Sequence, residues 1–233
     1  MSRAFKPDFD ELLKFIHDYG TSQLCQDKDF VKFLSTIHKK FFAYLVLVEE
    51  MRVYVDDPLM DPFLNKEQFS YIQESASDCG QSLFLCINGC YKGARLLLRS
   101  SIENLLKGIT VDEVPQIVTE KSVYQVFDDA EPADVFQKTP FSQDLHNLYC
   151  LLCQDVHTAG HNNMVGVKSL NFFPHFVSEE SRKIESVFIS LIPLFVTALC
   201  VKYQKIFHTI DWKNKELIVT SQINEYKGMI NGE

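Results

Sequence analysis

Apolar residues along this chain recur at helical spacing almost throughout. Phe9, Leu12, Leu13 and Ile16 fall three and four apart, between the start signals Pro7-Asp8 and the stop signal Gly20, which predicts a short amphipathic helix. Phe30, Phe33, Leu34, Ile37, Phe41, Tyr44, Leu45, Val48 and Met51 form a longer stripe, with Asp29 as the expected N-cap and Pro58 and Pro62 in the loop beyond. Phe42 and Val46 lie off that stripe, so this helix is expected to be covered on two sides. A third helix is predicted over about residues 66–88, with Phe69, Ile72, Ala76, Cys79, Leu83, Cys86 and Ile87 inward. The turn signal Asn88-Gly89 then leads into a fourth helix over about 91–109, carrying Ala94, Leu98, Ile102, Leu105 and Ile109. So short a link implies an antiparallel αα-hairpin spanning about 66–109.

The pattern weakens between residues 110 and 140, where one or two short helices and an acidic exposed turn (Asp128, Asp129, Glu131, Asp134) suggest a peripheral insertion. It returns over 142–157 with Leu145, Leu148, Tyr149, Leu152 and Val156. The stretch 158–174, with Gly160 and Asn162-Asn163, reads as loop. Ser178 then caps a long C-terminal helix with Ile184, Phe188, Leu191, Phe195, Leu199, Tyr203 and Ile206 inward and a kink expected at Pro193. From Asp211 the chain is polar, and Leu217-Ile218-Val219 suggests a short strand. The economical fold is all-α: one bundle domain of four to five main helices over 1–210, followed by a polar tail over 211–233.

Composition narrows the setting. Nineteen phenylalanines in 233 residues argue for a bulky, filled interior. A formal charge of −8 counts against non-specific DNA binding, since an acidic surface repels phosphate backbones. Seven cysteines in no regular framework, no visible cleavable leader and no Asn-x-Ser/Thr site point to a reducing cytoplasm. The apolar run 187–201 is shorter than the roughly 18–20 residues a span needs, and it reads as a buried helix centre rather than a membrane anchor.

No Gly-x-Gly-x-x-Gly, Walker loop, Gly-x-Ser-x-Gly or His-Glu-x-x-His occurs, so no cofactor is expected. Cys79 and Cys86 read as small buried hydrophobes. His146, Cys150, Cys153 and His157 share one side of a helix. They span about 16 Å at ~1.5 Å per residue, too far to meet one ion, so they read as a packing face or a polar stripe and no metal is expected. Arg95, Arg99, Glu103 and Lys107 follow in i, i+4 steps as helix-surface ion pairs, with Arg95 and Arg99 at the edge of the apolar stripe.

The run Gly89-Cys90-Tyr91-Lys92-Gly93-Ala94-Arg95-Leu96-Leu97-Leu98-Arg99-Ser100-Ser101-Ile102-Glu103, followed at a distance by Tyr149, Leu152, Asp155, Val156 and His157, resembles runs in bacterial and mobile-element proteins related to the HEPN superfamily of helical domains. The resemblance covers roughly residues 69–157. It implies a helical bundle, often a homodimer, acting in defence or stress response as a metal-independent RNase or as a partner of RNA or protein. The family's RNase signature places four to six residues between an Arg and the His that follows it on one helix. Here those positions are Cys150, Leu151 and Leu152, so the positive charge would have to come from Arg99 on the neighbouring helix. On this reading His157 is the general acid or base, Arg99 stabilises charge on the phosphate, Glu103 orients Arg99, and Asp155 or Tyr149 positions the imidazole. The missing Arg and the negative net charge favour the competing expectation, a non-catalytic dimeric scaffold with the same fold.

Overall fold

The computed structural model describes residues 5–139, 141–156 and 173–231, and every regular element among them is helical, so the fold is all-α. In chain order the helices are α1 (Phe5–Ile16), α2 (Lys28–Arg52), α3 (Lys66–Ile87), α4 (Tyr91–Thr110), α5 (Val123–Ala130), α6 (Asp134–Gln137), α7 (Phe141–Val156), α8 (Ser178–Lys202), α9 (Gln204–Thr209), α10 (Trp212–Ser221) and α11 (Asn224–Asn231). α2, α3, α4, α7 and α8 are the long members of the bundle.

Local chemistry sets the helix starts. α2 is capped by Asp27, whose side chain accepts from the Asp29 and Phe30 amides at 2.8 and 3.1 Å. The expected cap, Asp29, instead lies in the first turn, where its charge suits the positive end of the helix dipole. α3 opens with a capping box: Gln68 N–H donates to Asn65 Oδ1 and Asn65 N–H donates to Gln68 Oε1, both at 2.9 Å. Gly89, at φ 76°, makes the turn between α3 and α4 in a conformation other residues rarely adopt.

The α3–α4 hairpin is close-packed because small residues line it. A Cβ on Gly108 would stand 2.9 Å from Ile72 Cγ1 and 3.0 Å from the Ile72 amide nitrogen. Ser75 donates to the Ser101 carbonyl at 2.8 Å, Ser82 to the Ala94 carbonyl at 2.9 Å, and Tyr44 of α2 donates to Ser75 Oγ at 3.0 Å. Buried hydroxyls are thereby satisfied while the backbones approach.

α8 is the central helix. It packs on α2, α4, α7 and α11, and every residue from 191 to 200 is buried. It is long and apolar enough to cross a membrane by length and composition, with 72% of its most apolar window buried against its neighbours. α8 is continuous through Pro193, and the interruption falls later, at Tyr203, before α9. Residues 110–140 contain the short helices expected there. Ile117, Val126, Phe127, Ala130, Val135 and Phe136 are buried, seating this segment on α4 and α8.

The strand expected at Leu217-Ile218-Val219 is helix. Asp211 caps α10 by accepting from the Lys213 amide at 2.9 Å, and Leu217 and Ile218 are buried where α10 packs on α2. α11 packs on α8 with Ile230 buried. Among the described residues these β-branched side chains have no strand to pair with, and burial of one helical face decides the local conformation.

Candidate functional site

α4 presents three residues in successive turns toward the start of α8 and the body of α7. Tyr91 accepts the Val177 amide on its hydroxyl at 2.8 Å and so anchors the entry to α8. One turn on, Arg95 is 5% exposed and pairs with Glu180 in the first turn of α8. One turn further, Arg99 reaches α7 and donates its Nε–H to Tyr149 Oη at 2.7 Å. The Tyr149 hydroxyl donates in turn to Glu103 Oε1 at 3.1 Å, and Arg99 Nε lies 3.3 Å from that same oxygen. The guanidinium also sits 5.1 Å from the centroid of the Tyr149 ring.

Arg99, Glu103 and Tyr149, named from the sequence, therefore meet between α4 and α7. The i, i+4 pair is present, but Tyr149 joins it to a second helix and fixes the plane of the guanidinium. Burial opposes the charge on Arg99, yet Tyr149, Cys153 and Glu103 together hold its pKa above the ordinary value. The Tyr149 phenol is pushed well above its ordinary range by burial and then by the nearby Glu103 carboxylate. At neutral pH it is a hydrogen-bond donor and acceptor, not a base. Arg99 and Glu103 are about one-quarter exposed, at 24% and 28% of their side chains. Among the described residues no partner engages the two Nη nitrogens of Arg99. The arrangement is a held cation with open donors, suited to an anion.

His157 lies outside the described residues, immediately after the end of α7. Asp155 belongs to α7, with its side chain outside the described set. Lys107 departs from the expected ion pair with Glu103: it turns to the Val118 and Glu120 carbonyls at 3.4 and 3.2 Å and ties α4 to the segment that follows.

Of the cysteine and histidine stripe, the described members His146, Cys150 and Cys153 are half-buried on α7, and His157 lies outside the described residues. The His146 ring stands edge-on to Phe127 of α5 at 5.0 Å and lies 3.8 Å from Cys150 Sγ. Among the described residues no group of three or more His, Cys, Asp or Glu side chains is arranged to hold a metal ion. Cys79 and Cys86 are buried, and burial pushes the Cys79 thiol up to about 12.

The Arg95–Glu180 pair escaped sequence reading. Its partners are 85 positions apart, and neither helix alone carries a signal for it. Burial by itself would raise the Glu180 carboxyl, but hydrogen bonds from Lys183 and Arg95 outweigh this and hold it below the ordinary value. The chain matches no protein-family model, no curated protein and no solved structure.

Proposed function

We propose that this protein is a HEPN-like helical protein of a bacterial or mobile-element defence or stress system that acts on RNA without a metal. The observation that supports this reading is Arg99: Tyr149 and Glu103 fix its Nε, while its Nη donors stay unpartnered among the described residues on a partly exposed ledge. Such a group neutralises a phosphate at little reorganisation cost. His157 follows α7 directly in the chain and serves as general base toward the RNA 2′-hydroxyl. As that oxygen forms its bond to phosphorus, the 5′-oxygen departs and takes a proton from water, leaving a 2′,3′-cyclic phosphate and a 5′-hydroxyl. Tyr149 and Glu103 are positioning residues for Arg99, and Asp155 is assigned to orient the imidazole.

The test is cleavage of end-labelled single-stranded RNA in the presence of EDTA. Wild type is expected to cut, and His157→Ala and Arg99→Ala to cut at least about 100-fold more slowly, the low end for loss of acid–base catalysis. Expression of wild type, but of neither variant, should arrest growth. Equal cleavage by all three proteins, or none by wild type, overturns the RNase reading.

A second reading, the non-catalytic dimeric scaffold, is favoured by a strip on the outer side of α7 and α8. Ile189 and Ile223 are 39% and 41% exposed beside a groove of about 500 Å³ that Leu148 and Tyr226 also line. One end of the strip is acidic, since Asp144 and Glu225 both act on the Tyr226 phenol, and the other carries Arg182 and Lys183. A second copy packed antiparallel across this strip would set the basic end of each against the acidic end of the other, the self-complementarity that a two-fold homodimer requires.

A further inference from the structure

Beyond the Arg99 cluster, a second groove of about 500 Å³ opens between the C-terminal half of α7 and the N-terminal half of α8. Three cationic side chains line it, in a protein whose formal charge is −8. Arg95 rises from α4, where Glu180 holds it in place and offsets its charge. Arg182 and Lys183 stand in the first turns of α8, and both are exposed. Lys183 bonds Glu180 at 2.8 Å and lies 3.5 Å from Glu179, a residue so exposed (81%) that solvent screens the contact. Arg182 makes no ion pair among the described residues. The positive end of the α8 dipole adds to the same field.

The α7 side of the groove is apolar: Leu151 is 48% exposed and Leu152 lines the groove beside it, while Val187 of α8 is buried at its edge. A charged end beside an apolar flank suits a ligand that is itself anionic at one end and flat and apolar at the other. A nucleotide has that form: phosphate for the cations, base or sugar for the aliphatic wall. Arg95 and Arg99 are one helical turn apart on α4, about 6 Å at ~1.5 Å per residue. A strand whose phosphate meets Arg99 therefore has this groove beside it.

We infer that the groove is a subsite for a nucleotide phosphate, in which Arg182 and Lys183 contact the anion, the Glu180-paired Arg95 forms its fixed floor, and Leu151 carries the base or sugar. As a site for the RNA strand, it rests on the function proposed above. As a site for nucleotide phosphate in general, it does not.

The experiment is equilibrium binding by the full chain, with cleavage prevented by 2′-O-methyl substitution of a short single-stranded RNA, and a parallel titration with a nucleoside 5′-monophosphate. Arg182→Ala/Lys183→Ala changes two exposed residues, so its fold is expected to match wild type by circular dichroism. Its RNA affinity should fall at least tenfold at low salt. The slope of log affinity against log salt should shrink by about 0.7, the value for the one single-strand phosphate the variant no longer neutralises. If wild type binds RNA and the double variant binds it equally, with the same slope, the groove is not the subsite although the RNA reading stands. If wild type ignores RNA but binds the monophosphate through Arg182 and Lys183, the groove stands and the RNA reading falls. Binding of neither ligand overturns both.

Discussion

Arg99 on α4 and Tyr149 on α7 are joined at 2.7 Å, the phenol accepting from the guanidinium Nε while donating onward to Glu103. One hydroxyl thus ties two helices together and orients a cation that faces outward. This relationship separates holding Arg99 from using it. Tyr149→Phe keeps the ring under the guanidinium and removes only the hydroxyl. Stability should drop by about 1 kcal/mol, the ordinary net worth of such a hydrogen bond, read by urea denaturation. RNA affinity should fall with little change in fold. A double-mutant cycle with Arg99→Ala should show coupling, and additive losses would mean the pair does not act as a unit.

The α3–α4 hairpin gives a sharper structural test. A Cβ at Gly108 would meet Ile72 side chain and backbone and stand 3.1 Å from the Gln68 carbonyl oxygen, so helix backbones rather than a flexible side-chain end must move. Gly108→Ala would ordinarily gain helix propensity. Here we expect destabilisation of about 1–3 kcal/mol from overpacking, measured by thermal or denaturant unfolding. A stabilised variant would show that the hairpin yields without cost.

The stripes that built the bundle were legible because burial imposes the helical period: Ile72, Leu98, Leu145 and Phe188, chosen by spacing, are all in the core. The Arg99–Glu103 pair was legible for the same reason, as an i, i+4 relation. Tyr149 was named too, but for a different role, because contact with a residue 50 positions away leaves no local spacing signal. Arg95–Glu180 was invisible on the same grounds. The Asn65/Gln68 capping box was readable and overlooked. Leu217-Ile218-Val219 misled, since β-branching speaks for a strand while packing on α2 required a helical face.

His38 makes the fold sensitive to mild acid. It is 5% exposed, its Nε2 lies 2.9 Å from Asp8 Oδ2 of α1, and the rings of Phe5, Phe9 and Phe42 stand within 5.9 Å. Burial lowers its pKa, and the Asp8 carboxylate only partly opposes this. The unfolded chain therefore takes up a proton near pH 6.5 while the folded chain still resists it. The stabilising difference is fully present above about pH 6.5 and is lost as pH falls from there toward the folded-state value. The melting temperature should decline over that window, and His38→Asn, which cannot titrate, should flatten part of the decline. Parallel melting curves for the two proteins would assign the acid sensitivity to other groups.

The dimeric reading and the nucleotide groove make opposite demands on Arg182 and Lys183, and this can be tested directly. A second copy seated on the α7–α8 strip buries Ile189 and Ile223 at its centre and turns Arg182 and Lys183 toward Asp144 and Glu225 of the other copy. RNA seated in the groove needs those same cations. We expect sedimentation equilibrium to show a homodimer. Ile189→Glu should weaken it by tenfold or more, since burying one such side chain contributes roughly 1.5–3 kcal/mol and 1.4 kcal/mol is a factor of ten. Asp144→Lys should weaken it by opposing like charges, and Asp144→Lys/Lys183→Glu should restore it by exchanging them. Because the two occupants exclude each other at the basic end, single-stranded RNA titrated onto the dimer should convert it to monomer. A monomer at every concentration removes the dimeric reading and leaves the groove open to RNA. A dimer that binds RNA without dissociating shows that the copies meet on a different face.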